Sequence, residues 1–437
     1  MSDNYSIIIK NGSCYINGKF QTTDIGIIGD KIKKIGNINH EGSKIFDASN
    51  KIVLPGVIDT QVHFREPGAN DAENLESGSR AAVAGGVTSV FEMPNTNPPT
   101  STFQEFNKKL EAAKNRMFCN YAFYFGATPN NMKELAIVDT LKGCCGVKLF
   151  AGSSTGNLLV SQEKDIEKVI SNSSKIISVH SEDENILLSR KKYIKDGDVH
   201  SHPIWRNEEC ALESTKRVVR IAQKYKKKIH ILHVTTKQEI DFFSEKRDNV
   251  SFEITPQHLT IYAPDCYDKL KTFSQMNPPL RSKDHYDRLW DAVDESLVST
   301  IGSDHAPHTK EEKNRKYPLS PSGMPGVQTL LPVMLDHVNN GKLKIEKLIE
   351  LVCENPCNLF GIKNKGYIKE NFDADLTIVD MNKEVTIKDE WIESKCAWTP
   401  FNNYKVKGFP IGTIVNGEIV MENNKIIKQA KGKPLNF

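Results

Sequence analysis

Between Ile52 and Cys353 the chain repeats one alternation: a short apolar run, a turn, then residues with helical spacing. The runs are VIDTQV, VTSVFEMPN, NYAFYFGAT, GVKLFAG, KIISVHSED, KIHILHVTT, VSFEITPQHL and STIGSDHAPH, the first opening in the apolar stretch from Ile52 to Ile58. Mostly apolar runs of this length mark strands buried on both faces, as parallel strands are. The intervening helices are predicted over 75–86, 103–116, 131–142, 162–172, a long region ending near Tyr225, 237–247 and 285–297, with closing helices over 326–339 and 345–353. Eight strands, each followed by helical pattern, predict a (β/α)8 TIM-type barrel. A doubly wound open sheet fits the alternation second best, because no glycine-rich phosphate fingerprint follows the first strand.

The ends of the chain read differently. Residues 1–51 and 366–437 consist of short strands broken by Asn-Gly and Gly-Asp turns. They predict one small β-sandwich-like domain built from both termini, with the barrel over 52–365. At 437 residues the chain is long enough for both. A net charge of +3 with scattered lysines leaves no basic footprint for nucleic acid. No apolar segment is long enough to span a membrane, and MSDNYS has no signal-peptide pattern. Nine cysteines without a C-x-x-C spacing read as reduced thiols of a cytoplasmic protein.

In a barrel the chemistry belongs to inward-facing residues at the C-terminal ends of strands. Strand alternation puts Asp59, Gln61 and His63 on one face and Thr60 and Val62 on the other. It likewise aligns Ile229, Ile231 and His233, leaving His230 to the outer layer, and aligns Gly302 with Asp304. Lys148 and His180 end two further strands. One histidine at a strand end is ordinarily structural; three histidines, a lysine and an aspartate at one end of separate strands are not ordinary packing. Neutral imidazoles and a carboxylate are the donor set of Zn²⁺ or a similar divalent ion. Lys148 admits two explanations. Desolvation can leave a buried amine neutral, able to take up CO₂ as a carbamate that bridges two metals, or it is a buried ion-pair partner of Asp304.

The motifs DTQVHFREPG, GGVTSVFEMPNTNP, GVKLFAGSSTGN, SVHSEDE, HILHVTT, MNPPLR, SDHAPH and DADLTIVD together resemble the dihydroorotases of the amidohydrolase superfamily, in their long, class I bacterial form. The resemblance covers essentially the whole chain. The single motifs are shared with allantoinases and dihydropyrimidinases, whereas the combination of HFREPG, EMPNT, NPPLR and SDHAPH is specific to dihydroorotase-like sequences. It implies reversible hydrolysis of dihydroorotate to N-carbamoyl-aspartate in pyrimidine biosynthesis, with one or two Zn²⁺ per chain. His63 and Asp304 would hold the more buried metal, His180 and His233 the more exposed one, and Lys148, N6-carboxylated, would bridge them. Asp304 would also be the general acid and base. Arg65 and Asn95 would hold the substrate carboxylate, Asn277 and His308 the ring, and Ser322 with Gly323 would complete the pocket.

Two positions depart from the family. Gln61 stands where a first histidine is usual, so it coordinates through its amide oxygen, leaves a gap for water, or marks a weak or empty metal site. Gln257 replaces a histidine that is not a metal ligand in long-form relatives. The first departure keeps open a non-catalytic chain that serves as a structural partner of aspartate transcarbamoylase; an allantoinase- or hydantoinase-like enzyme is the other alternative. The resemblance also implies a homo-oligomer, a dimer, acting on a small-molecule substrate. Asp59 is expected to support the ligands from behind. The loops 153–159 and 309–325, beside the predicted strand ends, are candidates for closing over substrate.

Overall fold

The computed structural model describes residues 4–39, 44–154, 157–245, 248–427 and 431–437. Eight parallel strands lie in sequence order: Val57–Val62, Val87–Glu92, Asn120–Gly126, Cys144–Phe150, Ile177–His180, Ile229–Ile231, Val250–Ile254 and Thr300–Ile301. A parallel bridge from Val62 to His305 joins the last strand to the first, and His63 N donates to His305 O at 2.7 Å. The barrel predicted from the alternation is what forms.

Side chains divide by layer. Val62, Val90, Phe123, Val147, Val179, Ile229 and Ile231 pack outward against helix residues such as Leu75, Phe106, Ile166 and Val218. Ile58, Phe91, Tyr124, Cys145 and Leu232 point inward, where Phe360 packs among them. The Phe360 ring lies 4.9 Å from Phe91 and 5.7 Å from His230.

This division corrects two of the alternation readings. His230 is an interior residue, packed on Phe360 and hydrogen-bonded to Ser251 and Thr300, while Ile229 and Ile231 face the helices. His233 reaches the mouth because the backbone leaves the strand before it, not because it shares their face. In the first strand the register shifts between Asp59 and Val62, and Thr60 donates its hydroxyl to Glu253 beside Thr300. A shift of this kind re-aims side chains that strict alternation would send the other way.

The helices follow the sequence with characteristic breaks. The segment 131–142 forms only Met132–Leu135 and a short turn Val138–Thr140. The long region splits into Glu184–Arg190, Ser201–Trp205 and Glu208–Lys224, interrupted where Gly197 takes φ 78°. The helix expected over 237–247 is Lys237–Ser244, residues 246–247 lying outside the described set.

Both chain ends merge into one nine-stranded sheet with its own apolar core, including Ile9, Ile25, Val53, Leu376 and Ile414. The strand Ile52–Pro55, read from sequence as the lead-in to the barrel, belongs to this sheet. It pairs in parallel with Ser13–Cys14 and antiparallel with residues 376–379. The last residues return to the barrel, where Leu435 N donates to Tyr121 O at 2.8 Å.

Candidate active site

At the C-terminal mouth of the barrel the chain leaves regular geometry at the residues that carry the chemistry. Arg65, His233 and Asp304 have φ of 60°, 39° and 44°. Non-glycine residues enter this left-handed region at a cost on the order of 1–3 kcal/mol, which the surrounding fold must impose. They border a recess of about 350 Å³ lined by Gln61, His63, Arg65, Asn95, Lys148, His180, His233, Asn277, Asp304, Ser322 and Gly323. The geometry therefore brings together every ligand and substrate-contact candidate read from the sequence except His308, which stands behind Arg65 with its Nε2 3.3 Å from the guanidinium. Phe150, Ser154 and Ala306 complete the lining.

The donors come in two pairs. In the first, Nδ1 of His63 lies 2.8 Å from the amide oxygen of Asn95. That oxygen only accepts, so Nδ1 carries the proton and Nε2 presents a lone pair. The lone pair faces Asp304 Oδ1 at 3.2 Å, and Gln61 Nε2 donates to the same oxygen at 2.9 Å. Gln61 Oε1 is buried without a hydrogen-bond partner.

In the second pair, His180 donates Nε2–H to Glu182 Oε2 at 2.9 Å, and Arg206 Nε donates to Glu182 Oε1 at 3.1 Å. His180 Nδ1 then faces His233 Nε2 at 3.1 Å, while His233 Nδ1 is buried without a partner. Burial pushes His63, His180 and His233 below the ordinary imidazole range, so all three stay neutral. Sequence reasoning missed Arg206, which no local pattern marks. Glu182 was missed too, although its place two residues after His180 within SVHSEDE could have marked it.

Lys148 is almost wholly buried, with its Nζ 4.6 Å from the Phe150 ring centre. Desolvation pulls its ammonium down toward neutrality, with Asp304 and Glu253 pulling the other way. Desolvation pushes Asp304 above the usual carboxylate range, with Lys148 opposing it. Asp59 is held behind the strand ends, accepting from Ser303 N at 2.9 Å and Gln61 N at 3.1 Å.

The rest of the pocket is suited to an anion with a polar ring. Arg65 Nε donates to Pro307 O at 3.0 Å, leaving the two terminal nitrogens at the end of the fork. Asn277 Oδ1 sits 3.1 Å from His202 Nε2, and Ser322 O lies 3.0 Å from His308 Nε2. Gly323 has φ 143°, and a Cβ there would lie 2.4 Å from Ala306 O, so no side chain fits without moving the backbone.

These donors fit a divalent cation. Two donors on one tetrahedral ion at ~2.0–2.1 Å stand roughly 3.3 Å apart, close to both pair separations here. A lone pair aimed at a carboxylate oxygen is repulsive unless a proton or a cation lies between. Among the described residues no three His, Cys, Asp or Glu side chains converge on one ion site. The polar side chains that stand beside the two pairs, Gln61 and Lys148, are of other types.

A parallel barrel with paired metal-type donors and a raised carboxyl at one mouth defines a class of hydrolases. The chain belongs to the amidohydrolase family, whose model matches residues 52–420. It is similar to the dihydroorotase of Pyrococcus furiosus, 36% identical over 94% of this chain and 91% of that one. The dihydroorotase of Methanosarcina mazei is 34% identical over 98% of this chain and 97% of its own. Among solved structures, the L-hydantoinase (dihydropyrimidinase) of Arthrobacter aurescens superposes with a TM-score of 0.93 at 28% identity, covering 99% of this chain and 100% of that one.

Proposed function

We propose that this cyclic amide hydrolase is a dihydroorotase, interconverting dihydroorotate and N-carbamoyl-aspartate. The observation that carries the reading is Arg65: a buried guanidinium at the pocket wall whose Nε donates to Pro307 O, with one terminal nitrogen 3.3 Å from His308, beside a hydrolytic donor set. A substrate carboxylate would complete it, since the planar fork pairs with two oxygens at once.

His63, Asp304 and Gln61 would hold one metal ion, His180 and His233 a second, and Lys148 as its carbamate would serve both; we take the metal to be zinc. When bound, such an ion lowers the pKa of a water and polarises the scissile carbonyl. Asp304 takes the proton from the attacking water and delivers it to the departing ring nitrogen; ring closure retraces the same transfers. Its raised pKa suits both roles, because a general acid and base works best near the operating pH. Asn95 orients His63 through its amide oxygen. Asn277 and the backbone of Ser322 and Gly323 would address the polar edge of the ring, with His308 holding Ser322 O from behind.

The likeness to a hydantoinase favours a second reading, in which the substrate ring has no carboxylate. A panel of dihydroorotate, hydantoin, dihydrouracil and allantoin separates the two. Dihydroorotate should be turned over best, and Arg65→Met should raise its KM by about 100-fold, the size of a lost charged hydrogen-bond pair. Preference for hydantoin, unchanged by Arg65→Met, would establish the second reading. A non-catalytic partner of aspartate transcarbamoylase is disfavoured by the assembled pocket. Nine free, buried cysteines support a cytoplasmic location.

A further inference from the structure

Behind the pocket wall lies a charged group that the mechanism above does not use. Lys313 ends the short helix Lys310–Lys313, whose first turn Thr309 and Glu312 cap reciprocally. Its side chain is fully buried, and Nζ donates to three backbone carbonyls: Gln275 O at 3.1 Å, Pro321 O at 2.9 Å and Gly323 O at 3.1 Å. Burial and Arg65 push this ammonium's pKa down. A neutral amine, however, has two protons for three acceptors, so the carbonyl cage holds the charged form.

Of these acceptors Gly323 lines the recess, while Pro321 and Gln275 stand one and two residues from the lining residues Ser322 and Asn277. Gln275 O also accepts from Gly323 N at 2.8 Å, and the Gln275 side chain accepts from Ser320 Oγ at 2.7 Å and donates to Ser320 O at 3.1 Å. Lys313 thus ties the stretch Ser320–Gly323 to the stretch leading to Asn277. It also places a second buried cation on the Arg65 side of the recess: Lys313 holds Gly323 O, and the neighbouring Ser322 O lies 3.0 Å from His308 Nε2, itself 3.3 Å from the Arg65 guanidinium.

We propose that Lys313 is a positioning residue that sets the Ser322–Gly323 backbone against the substrate and adds to Arg65 in selecting a carboxylate-bearing ring. The proposal rests on the dihydroorotase reading. Wild-type turnover of dihydroorotate tests that reading; only the ratio of variant to wild type tests Lys313.

The experiment measures kcat and KM of wild type, Lys313→Met and Lys313→Gln with dihydroorotate and with its carboxamide. Circular dichroism and metal content check that each variant is intact. Loss of the rim contacts should raise KM for dihydroorotate by about tenfold or more with kcat within about threefold. Loss of the charge should shrink the preference for acid over carboxamide. Unchanged KM in a folded variant overturns the proposal, and so does an equal loss on acid and carboxamide, which a purely structural role would give. Should neither variant fold, Ser320→Ala decides, since it loosens the same rim and keeps the charge. KM should then rise with the acid preference intact, and an unchanged KM overturns the positioning role.

Discussion

His63 and His180 sit at corresponding strand ends, each with one ring nitrogen turned to the pocket and the other held from behind. What holds them differs. His63 is oriented by the neutral amide of Asn95, and its carboxylate neighbour Asp304 receives a second neutral amide, Gln61. His180 is oriented by a carboxylate, Glu182, itself clamped by Arg206. A carboxylate behind an imidazole strengthens it as a donor, and the guanidinium keeps that carboxylate ionised. An amide orients as firmly but adds no charge. In the proposed mechanism the half built with amides contains the carboxyl that would gain and lose a proton. The half built with charges contains none that would, which would assign catalysis and anchoring to opposite sides of one recess.

Exchanging Asp304 tests this division most severely. Asp304→Asn should fold, keep the His180–His233 half intact, and lose at least about 10³-fold in kcat in both directions. Metal analysis beside kinetics checks it; residual activity within about tenfold would move the proton transfer elsewhere. Lys148→Ala should rank next, with loss of metal and of roughly 10²-fold or more in activity. If the missing group is a carbamate, millimolar acetate or propionate supplies equivalent oxygens and restores part of both. No rescue by either acid would favour Lys148 as the ion-pair partner of Asp304.

Much of this site was legible because its residues lie at strand ends with a fixed direction. Lys148 and His180 point where alternation sends them, and the barrel follows from the strand–helix count. His233 and Asp304 were found for a less secure reason. Both have left-handed backbones, and in the His233 strand the parity that suggested the site assigned the wrong face to Ile229, Ile231 and His230. A break in strand geometry depends on the neighbouring strand and has no sequence period of its own. The register shift in the first strand, which turns Thr60 toward Glu253, escaped alternation for the same reason. Arg206 and Lys313 act across chain separations that leave no local pattern. Arg206 reaches Glu182 from the far side of two helices, and Lys313 hydrogen-bonds only to backbone carbonyls.

The groups behind the histidines offer a finer comparison. Glu182→Gln removes the charge behind His180 and leaves Arg206 beside a neutral amide. It should cost about 10–100-fold in metal affinity or activity, the usual range for a group that orients a ligand. Asn95→Ala leaves Nδ1 of His63 without its acceptor but removes no charge, so its cost should fall at the low end of that range or below. Metal titrations of the two variants measure the difference directly. Equal losses would mean that the charge behind His180 contributes nothing beyond orientation.

The mildest test changes only pH. Burial pushes Asp304 above the ordinary carboxylate range, and it must be ionised to hold a cation. Burial opposes ionisation of Glu182 too, but Arg206 and His180 outweigh it and hold that carboxyl well below the usual range. The three imidazoles stay neutral because burial pushes each of them down. As pH falls, Asp304 should therefore take up its proton first, and an ion that it would share with His63 and Gln61 should leave before one held by His180 and His233. In metal-free protein the sign reverses. A carboxyl raised by folding favours the folded state fully below its unfolded pKa and loses that contribution as pH rises through its folded one. Dialysis from about pH 8 to about pH 5, with metal per chain measured at each step, should show two separate losses, the first accompanied by loss of turnover. Gln61→His should move that first loss toward lower pH, since an imidazole binds zinc more strongly than an amide oxygen. One joint loss in wild type, unmoved by Gln61→His, would mean that the two halves hold their ions as a single unit, whatever orients them from behind.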